Sequence, residues 1–343
     1  MTLYYNYIQT TMKNDEKISD KNKKCNKIRI KIHQKLIWML QYMRKEGDYV
    51  DYCFKEMYIH RKDNGKALYL TKFESESSIP ERNLLMIHGL TFAQFVFDIK
   101  YKDYSLCEYF AGQGYTVWRL DIGGYGKSEA YESGWDVTTE NAAKDQLCAI
   151  KVICEQQSVE KIDLLGWSWG SMTTAKAAIW QPERIRKLVW LGPCFGGVFE
   201  PVMIHTPFLS IDDDYVNRIW RKDPECQAQY DQSVVEPMLL NLWSVLAYRQ
   251  KGERLRPAGG AKEIMEAGDK WLIEPEKIKV PVLIVTGDDS DFYVNVERCY
   301  EAVGKLPQGS AICHLKHAGH TMYLEKNFYR ETRQAILNFL EEA

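Results

Sequence analysis

From residue 84 to residue 315 the chain alternates short, mostly apolar runs with longer amphipathic stretches, and this rhythm predicts its architecture. The apolar runs are Leu84–Ile87, Tyr115–Leu120, Ile162–Leu165, Leu188–Leu191, Val280–Val285 and Ala311–Leu315. Runs without a polar face are typical of strands covered on both sides. Helix-like segments lie between and after them, at Tyr104–Gln113, Glu140–Gln156, Trp169–Gln181, Val294–Lys305 and Glu325–Glu342. The alternation predicts a mainly parallel sheet flanked by helices. Ahead of it, Phe54–His60 and Ala67–Phe73 read as strands, and Asn64-Gly65 between them is a strong hairpin signal, so an antiparallel pair opens the fold.

One interval breaks the rhythm. Roughly ninety residues separate the runs ending at Leu191 and starting at Val280, far beyond an ordinary connection, and an inserted, mainly helical cap over 200–279 is the economical reading. Within it, Arg254–Gly268 carries Pro257, Gly259 and Gly260 and reads as a flexible joint. The expected organisation is a mobile polar tail (1–27), an amphipathic helix (28–50), a first core part (51–199), the cap, and a second core part (280–343). The helix assignment rests on Ile32, Leu36, Met39, Leu40 and Met43, which form one stripe opposite basic residues. The tail carries too little apolar surface to offset the entropy of ordering.

Composition narrows the function. The chain has 343 residues, and 45 Lys and Arg against 47 Asp and Glu give a formal net charge of −2. No global positive field exists to gather phosphate, which argues against nucleic acid as a principal partner. The nine cysteines form no CxxC pair and sit mostly in apolar segments, the pattern of reduced thiols. No stretch approaches the ~18 apolar residues of a membrane span, and no signal-peptide pattern opens the chain, so a cytoplasmic location is expected.

The most informative stretch is Lys161-Ile-Asp-Leu-Leu-Gly-Trp-Ser-Trp-Gly-Ser-Met172, where a strand runs through GxSxG straight into a helix. The five residues alone are weak evidence, but strand, turn and helix occur in the order that a nucleophile elbow requires. Gly166 and Gly170 leave room for the sharp turn at Ser168, and the helix start places N–H groups beside developing negative charge. A serine hydroxyl needs a base and an orienting acid. Of seven histidines, His317 and His320 follow the last strand-like run, and His320, directly after Gly319, is the candidate base. His314, His317 and His320 also present a metal-like spacing, but a strand and a turn do not bring i, i+3 and i+6 onto one face, so no metal is expected. For the acid, Asp288, Asp289 and Asp291 compete on the loop after the most hydrophobic strand, and Asp291 is preferred because Phe-Tyr-Val follows it into the next helix.

Together these residues resemble the α/β-hydrolase family, from about Phe54 to the end of the chain. The resemblance implies the α/β-hydrolase fold and the order nucleophile, acid, histidine, which Ser168, Asp291 and His320 obey. Many relatives place the acid three residues after the strand-ending glycine, where this chain has Ser290; Asp291 stands one later, with Val294 three beyond it. His88-Gly89-Leu90-Thr91 is similar to the family's oxyanion turn, which implies oxyanion donation from the Leu90 and Trp169 N–H groups. Asp121-Ile-Gly-Gly-Tyr-Gly-Lys-Ser128 is similar to its D-x-x-G-x-G-x-S loop.

The function expected is hydrolysis of a carboxylic ester or thioester of a small-molecule acyl substrate through an acyl-enzyme on Ser168. An aminopeptidase is the first alternative, with Asp212 to Asp214 as carboxylates for a substrate amine. An acyltransferase, carbon–carbon hydrolase or lyase on the same scaffold, and a non-catalytic binding protein, complete the set. No phosphate loop, dinucleotide fingerprint or zinc-ligand spacing is present, so no cofactor is implied. Phe208, Tyr215, Trp220, Tyr230, Trp243, Tyr248 and Trp271 make the insert aromatic-rich, either as a lid over an apolar substrate or, the preferred reading, as the cap's own core. Substrate identity and oligomeric state leave no trace in the sequence.

Overall fold

A computed structural model of the chain describes residues 52–198, 200–212, 216, 219–220, 234–248, 255–288 and 293–342. The expected tail (1–27) and amphipathic helix (28–50) lie outside them. The strands are β1 (Tyr52–His60), β2 (Ala67–Ser75), β3 (Asn83–Ile87), β4 (Thr116–Leu120), β5 (Ile162–Trp167), β6 (Ile185–Leu191), β7 (Phe208–Ser210), β8 (Leu255–Pro257), β9 (Val282–Thr286) and β10 (Ala311–His314). Eight of them form one sheet in the order β1-β2-β4-β3-β5-β6-β9-β10. The β1–β2 hairpin and the β2–β4 pair are antiparallel, and every later pairing is parallel.

The central strands β3, β4 and β5 are buried along their whole length, as runs without a polar face require. Helices α1 (Leu106–Gly112), α2 (Thr139–Gln157), α3 (Trp169–Trp180), α4 (Pro237–Tyr248), α5 (Gly259–Met265), α6 (Val296–Val303) and α7 (Tyr329–Glu341) accompany the strands. Three of them begin on side-chain caps: Ser105 accepts from the Glu108 N–H, Thr138 from the Asn141 N–H and Asn295 from the Arg298 N–H.

Two expectations change. Helix α7 starts at Tyr329 rather than Glu325, because the Glu325 carboxylate is drawn back to accept from the Gly319 N–H at 3.0 and 3.1 Å. The stretch read as a flexible joint is, from Leu255 onward, strand β8 followed by helix α5. Its glycines serve close packing instead: a Cβ at Gly260 would stand 2.6 Å from Cε2 of the buried Trp169 ring. The Glu263 carboxylate of α5 also accepts from the Thr139 N–H at 3.0 Å, closing the start of α2.

The aromatic residues of 200–279 bind this segment to the sheet. Trp220 and Trp243 are fully buried, and the Trp243 ring lies 5.3 Å from Trp220, 4.7 Å from Phe92 and 6.3 Å from Trp167, centroid to centroid. Tyr215 and Tyr230 lie outside the described residues. No disulfide links the described cysteines. Among the described residues no helix is long and apolar enough to cross a membrane.

Candidate active site

Open α/β sheets place their sites at the carboxyl ends of parallel strands, and here the loops after β3, β5, β6 and β10 meet at that edge. The Ser168 N–H donates to the Leu191 carbonyl at 2.8 Å, so the residue after β5 still rides on the β6 ladder before the chain turns. The turn is tight: Ser168 has φ 57° and ψ −124°, a region that costs a non-glycine residue roughly 1–3 kcal/mol. A Cβ at Gly170 would meet the Ile87 carbonyl oxygen at 2.5 Å, which is why glycine stands there. Serine normally caps a helix with its own hydroxyl. In this backbone conformation Ser168, the residue before α3, makes no such bond, and its Oγ lies 3.9 Å from the Cys194 Sγ in the loop after β6.

Ser168 and His320 line the same cleft, which encloses about 910 Å³ including its open mouth. Leu90, Phe92, Trp167, Cys194, Arg256 and Tyr293 border it too. His320 is buried, with the Trp167 and Tyr293 rings tilted against its imidazole at centroid distances of 5.5 and 4.9 Å. The Trp167 indole donates to the His320 backbone carbonyl at 2.8 Å, and Glu325 holds Gly319 just before it. Trp169 is the first residue of α3, so its N–H belongs to the unpaired set at a helix start.

The turn after β3 is fixed by neutral chemistry. The His88 Nε2 accepts from the Ile122 N–H at 3.1 Å, and Nδ1 lies 2.8 Å from the Gly89 carbonyl oxygen, to which it donates. Burial lowers the His88 pKa to about 4, against the opposing effect of the bond to Gly89, so the ring is neutral at pH 7. Asp121 braces the same region, accepting from the Gln94 and Lys127 N–H groups at 2.9 Å each. Burial raises its pKa to about 6, while those two bonds pull the other way. The Tyr125 hydroxyl donates to the Leu90 carbonyl at 2.5 Å.

The candidate acids divide. Asp289 and Asp291 lie outside the described residues. The Asp288 carboxylate accepts from the His317 N–H at 2.5 Å and stands 3.6 Å from the His317 Nδ1. The three late histidines also part: His314 on β10 contacts the Tyr300 hydroxyl at 2.9 Å, the His317 side chain is exposed, and His320 is buried. Among the described residues no group of His, Cys, Asp and Glu is arranged to hold a metal ion. Asp212 is exposed, and Asp213 and Asp214 lie outside the described residues.

Sequence reasoning missed the Trp167–His320 bond, the Tyr125–Leu90 bond, Glu325 and Arg256. The resemblance of 121–128 to a family loop pointed to the neighbourhood of Tyr125 without naming its partner. Of the insert's aromatic residues, Trp220 and Trp243 are buried against each other, in keeping with the preferred reading of them as core, and the aromatic residues bordering the cleft include Phe92, Trp167 and Tyr293.

The family model described as alpha/beta hydrolase fold matches residues 82–247. A 2-hydroxy-6-oxononadienedioate/2-hydroxy-6-oxononatrienedioate hydrolase of Paraburkholderia phymatum is 26% identical over 201 residues, 55% of this chain and 65% of that protein. Its namesake in Escherichia coli is 30% identical over 109 residues, 32% of this chain and 35% of that protein. The matches thus span less than two thirds of either relative. Among solved structures, an esterase of Exiguobacterium antarcticum superposes with a TM-score of 0.59 at 18% identity, covering 84% of this chain and 100% of that one.

Proposed function

The chain belongs to the α/β-hydrolase family, and from that premise we propose that it is a serine hydrolase cleaving a carboxylic ester or thioester. Neutral His320 takes the Ser168 proton and the alkoxide attacks the scissile carbonyl. The oxyanion accepts from the Leu90 and Trp169 N–H groups, and Asp291 fixes the imidazole tautomer. The protonated His320 then delivers its proton to the leaving group, and water, activated by the same imidazole, releases the acid from Ser168. Preorganised oxyanion donors are worth ~2.7–4 kcal/mol each in the transition state.

The observation that carries the reading is Ser168 at positive φ before a helix, bordering one cleft with His320. A hydroxyl that neither caps its helix nor faces away from an imidazole-bearing cleft is what nucleophilic attack requires. Labelling with a fluorophosphonate and locating the adduct by mass spectrometry tests it. Adduct on Ser168, and a loss of at least ~10³-fold in ester turnover in Ser168→Ala, are expected. Adduct on any other residue, or turnover undiminished in the variant, refutes the assignment.

Hydrolysis of a carbon–carbon bond is the second reading, favoured by the names of the partial relatives, which act on oxo dicarboxylates. The same serine, base and oxyanion donors would serve it. A panel of p-nitrophenyl esters, acyl thioesters and vinylogous oxo diacids separates the two.

A further inference from the structure

Helix α5 of the insert has two faces with different tasks. Ala261, Ile264 and Met265, at the i, i+3 and i+4 spacing of one stripe, border the cleft that contains Ser168 and His320. Glu263, between them in sequence, is turned to the start of α2, where its carboxylate accepts from the Thr139 N–H at 3.0 Å and from the Thr139 hydroxyl. That hydroxyl in turn accepts from the Trp169 indole N–H at 2.9 Å. An indole N–H only donates and a carboxylate only accepts, so the group between them must do both, as a hydroxyl does. Thr138 already supplies the side-chain cap of α2 by accepting from the Asn141 N–H, so the second threonine hydroxyl is not needed for capping. Trp169 is fully buried, and a buried N–H left without an acceptor costs more than the bond itself contributes. Gly260, three residues before Glu263, seats α5 directly on the same indole ring.

We infer that Thr139 and Glu263 are positioning residues for the oxyanion: through the Trp169 indole they fix the first turn of α3, and with it the Trp169 N–H. The inference rests on the serine hydrolase reading and deepens it. The peptide unit that carries the Trp169 N–H has the Ser168 carbonyl at its other end, and that carbonyl accepts from the Ser171 N–H at 2.8 Å and the Ser171 hydroxyl at 2.6 Å. One end of the unit is thus held within the elbow. The Trp169 side chain, at the other end, is held from outside by Thr139, Glu263 and Gly260. Oxyanion donors act only when preorganised, because a donor that must first swing into place loses much of its electrostatic worth. The relay therefore makes that preorganisation conditional on the insert, since it ends on the helix whose other face walls the cleft.

The test follows p-nitrophenyl hexanoate turnover and its inhibition by pentyl trifluoromethyl ketone and by methyl pentyl ketone, which share its alkyl chain. The fluorinated ketone adds the Ser168 oxygen to its carbonyl carbon, the serine proton passing to His320, and the carbonyl oxygen becomes a bound oxyanion. The plain ketone binds without that adduct. In Thr139→Val, which keeps the shape and loses the hydroxyl, kcat is expected to fall by about ten- to a hundredfold. KM should stay within about threefold, because acylation and deacylation both pass through an oxyanion and slow together. The inhibition constant of the trifluoromethyl ketone should rise in step with the loss of kcat, and that of the plain ketone should not move. A merely structural role would lower kcat through the folded fraction and leave both constants unchanged. Thr139→Ser, which restores the hydroxyl, should bring kcat and the trifluoromethyl ketone constant to within about threefold of wild type. Glu263→Met, which removes the insert's end of the relay, should reproduce Thr139→Val and decides the matter should Thr139→Val not fold. A trifluoromethyl ketone constant unmoved in either folded variant, or Thr139→Ser as slow as Thr139→Val, overturns the inference while wild type still takes a fluorophosphonate label on Ser168. If wild-type Ser168 takes no label, the hydrolase reading has failed and this inference falls with it.

Discussion

The indole N–H of Trp167 donates to the backbone carbonyl of His320 at 2.8 Å, tying the residue before the candidate nucleophile to the residue that carries the candidate base. The two are 153 positions apart in the chain, yet one side chain sets the height of the His320 loop against the elbow. Trp167→Phe keeps an aromatic ring against Trp243 and Tyr323 but removes the donor. A neutral hydrogen bond is worth about 1 kcal/mol net, so kcat is expected to fall roughly fivefold with KM little changed. Steady-state kinetics beside a thermal melt checks this, and a change confined to KM would exclude a role in setting the base.

Asp288 and Asp291, both following β9 in the sequence, are expected to behave differently. Asp288 is occupied with the His317 backbone N–H, and Asp288→Asn should lower kcat by less than about tenfold, since a neutral amide oxygen still accepts that bond. Asp291→Asn should lower it by ~10⁴-fold if that residue orients the imidazole. Single-turnover kinetics on both variants decides the matter, and collapse in Asp288→Asn alone would transfer the role to Asp288.

The buried His88 gives the stability a pH dependence of known sign. Its folded pKa of about 4 lies below the ordinary value near 6.5, so between these two values the unfolded chain binds the extra proton. Stability from this residue is complete above pH 6.5 and is lost as pH falls toward 4, by up to roughly 3 kcal/mol at 1.36 kcal/mol per pKa unit. The buried Asp121, whose pKa is raised to about 6, acts in the opposite direction, its ionisation cost disappearing as pH falls. Urea unfolding of wild type and His88→Gln cancels that contribution. The advantage of wild type over the variant should shrink steadily from pH 6.5 to 4.

At Gly260 a single methyl group tests how the insert is seated. A Cβ there would stand 2.6 Å from Cε2 of Trp169 and 2.8 Å from Cδ1 of Leu90. Trp169 is fully buried and has no space to yield, so Gly260→Ala should destabilise by about 1–3 kcal/mol. It should also slow fluorophosphonate labelling of Ser168, because both residues proposed to donate to the oxyanion are displaced. Labelling at the wild-type rate with an unchanged melt would show that the segment seats elsewhere.

Much of this protein was legible from local chemistry. The runs Leu84–Ile87 and Ile162–Leu165 became central strands because a segment without a polar face has nowhere to lie except between covering layers. Ser168 stood out because a strand turning at once into a helix must pass through a backbone conformation that only small neighbours permit, and His320 because it followed the last strand. Which buried groups touch was a different matter. Nothing periodic marks Trp167 as the partner of the His320 carbonyl, or Tyr125, 35 residues from Leu90, as the donor to its carbonyl. Arg256 read as part of a loose joint, since pattern alone assigns arginine to water, and only the packing of β8 and α5 against the elbow turned it inward. Periodicity reports which face of an element is buried. The neighbours met across that face are fixed by long-range packing, where the alternatives differ by contacts that no short window of residues contains.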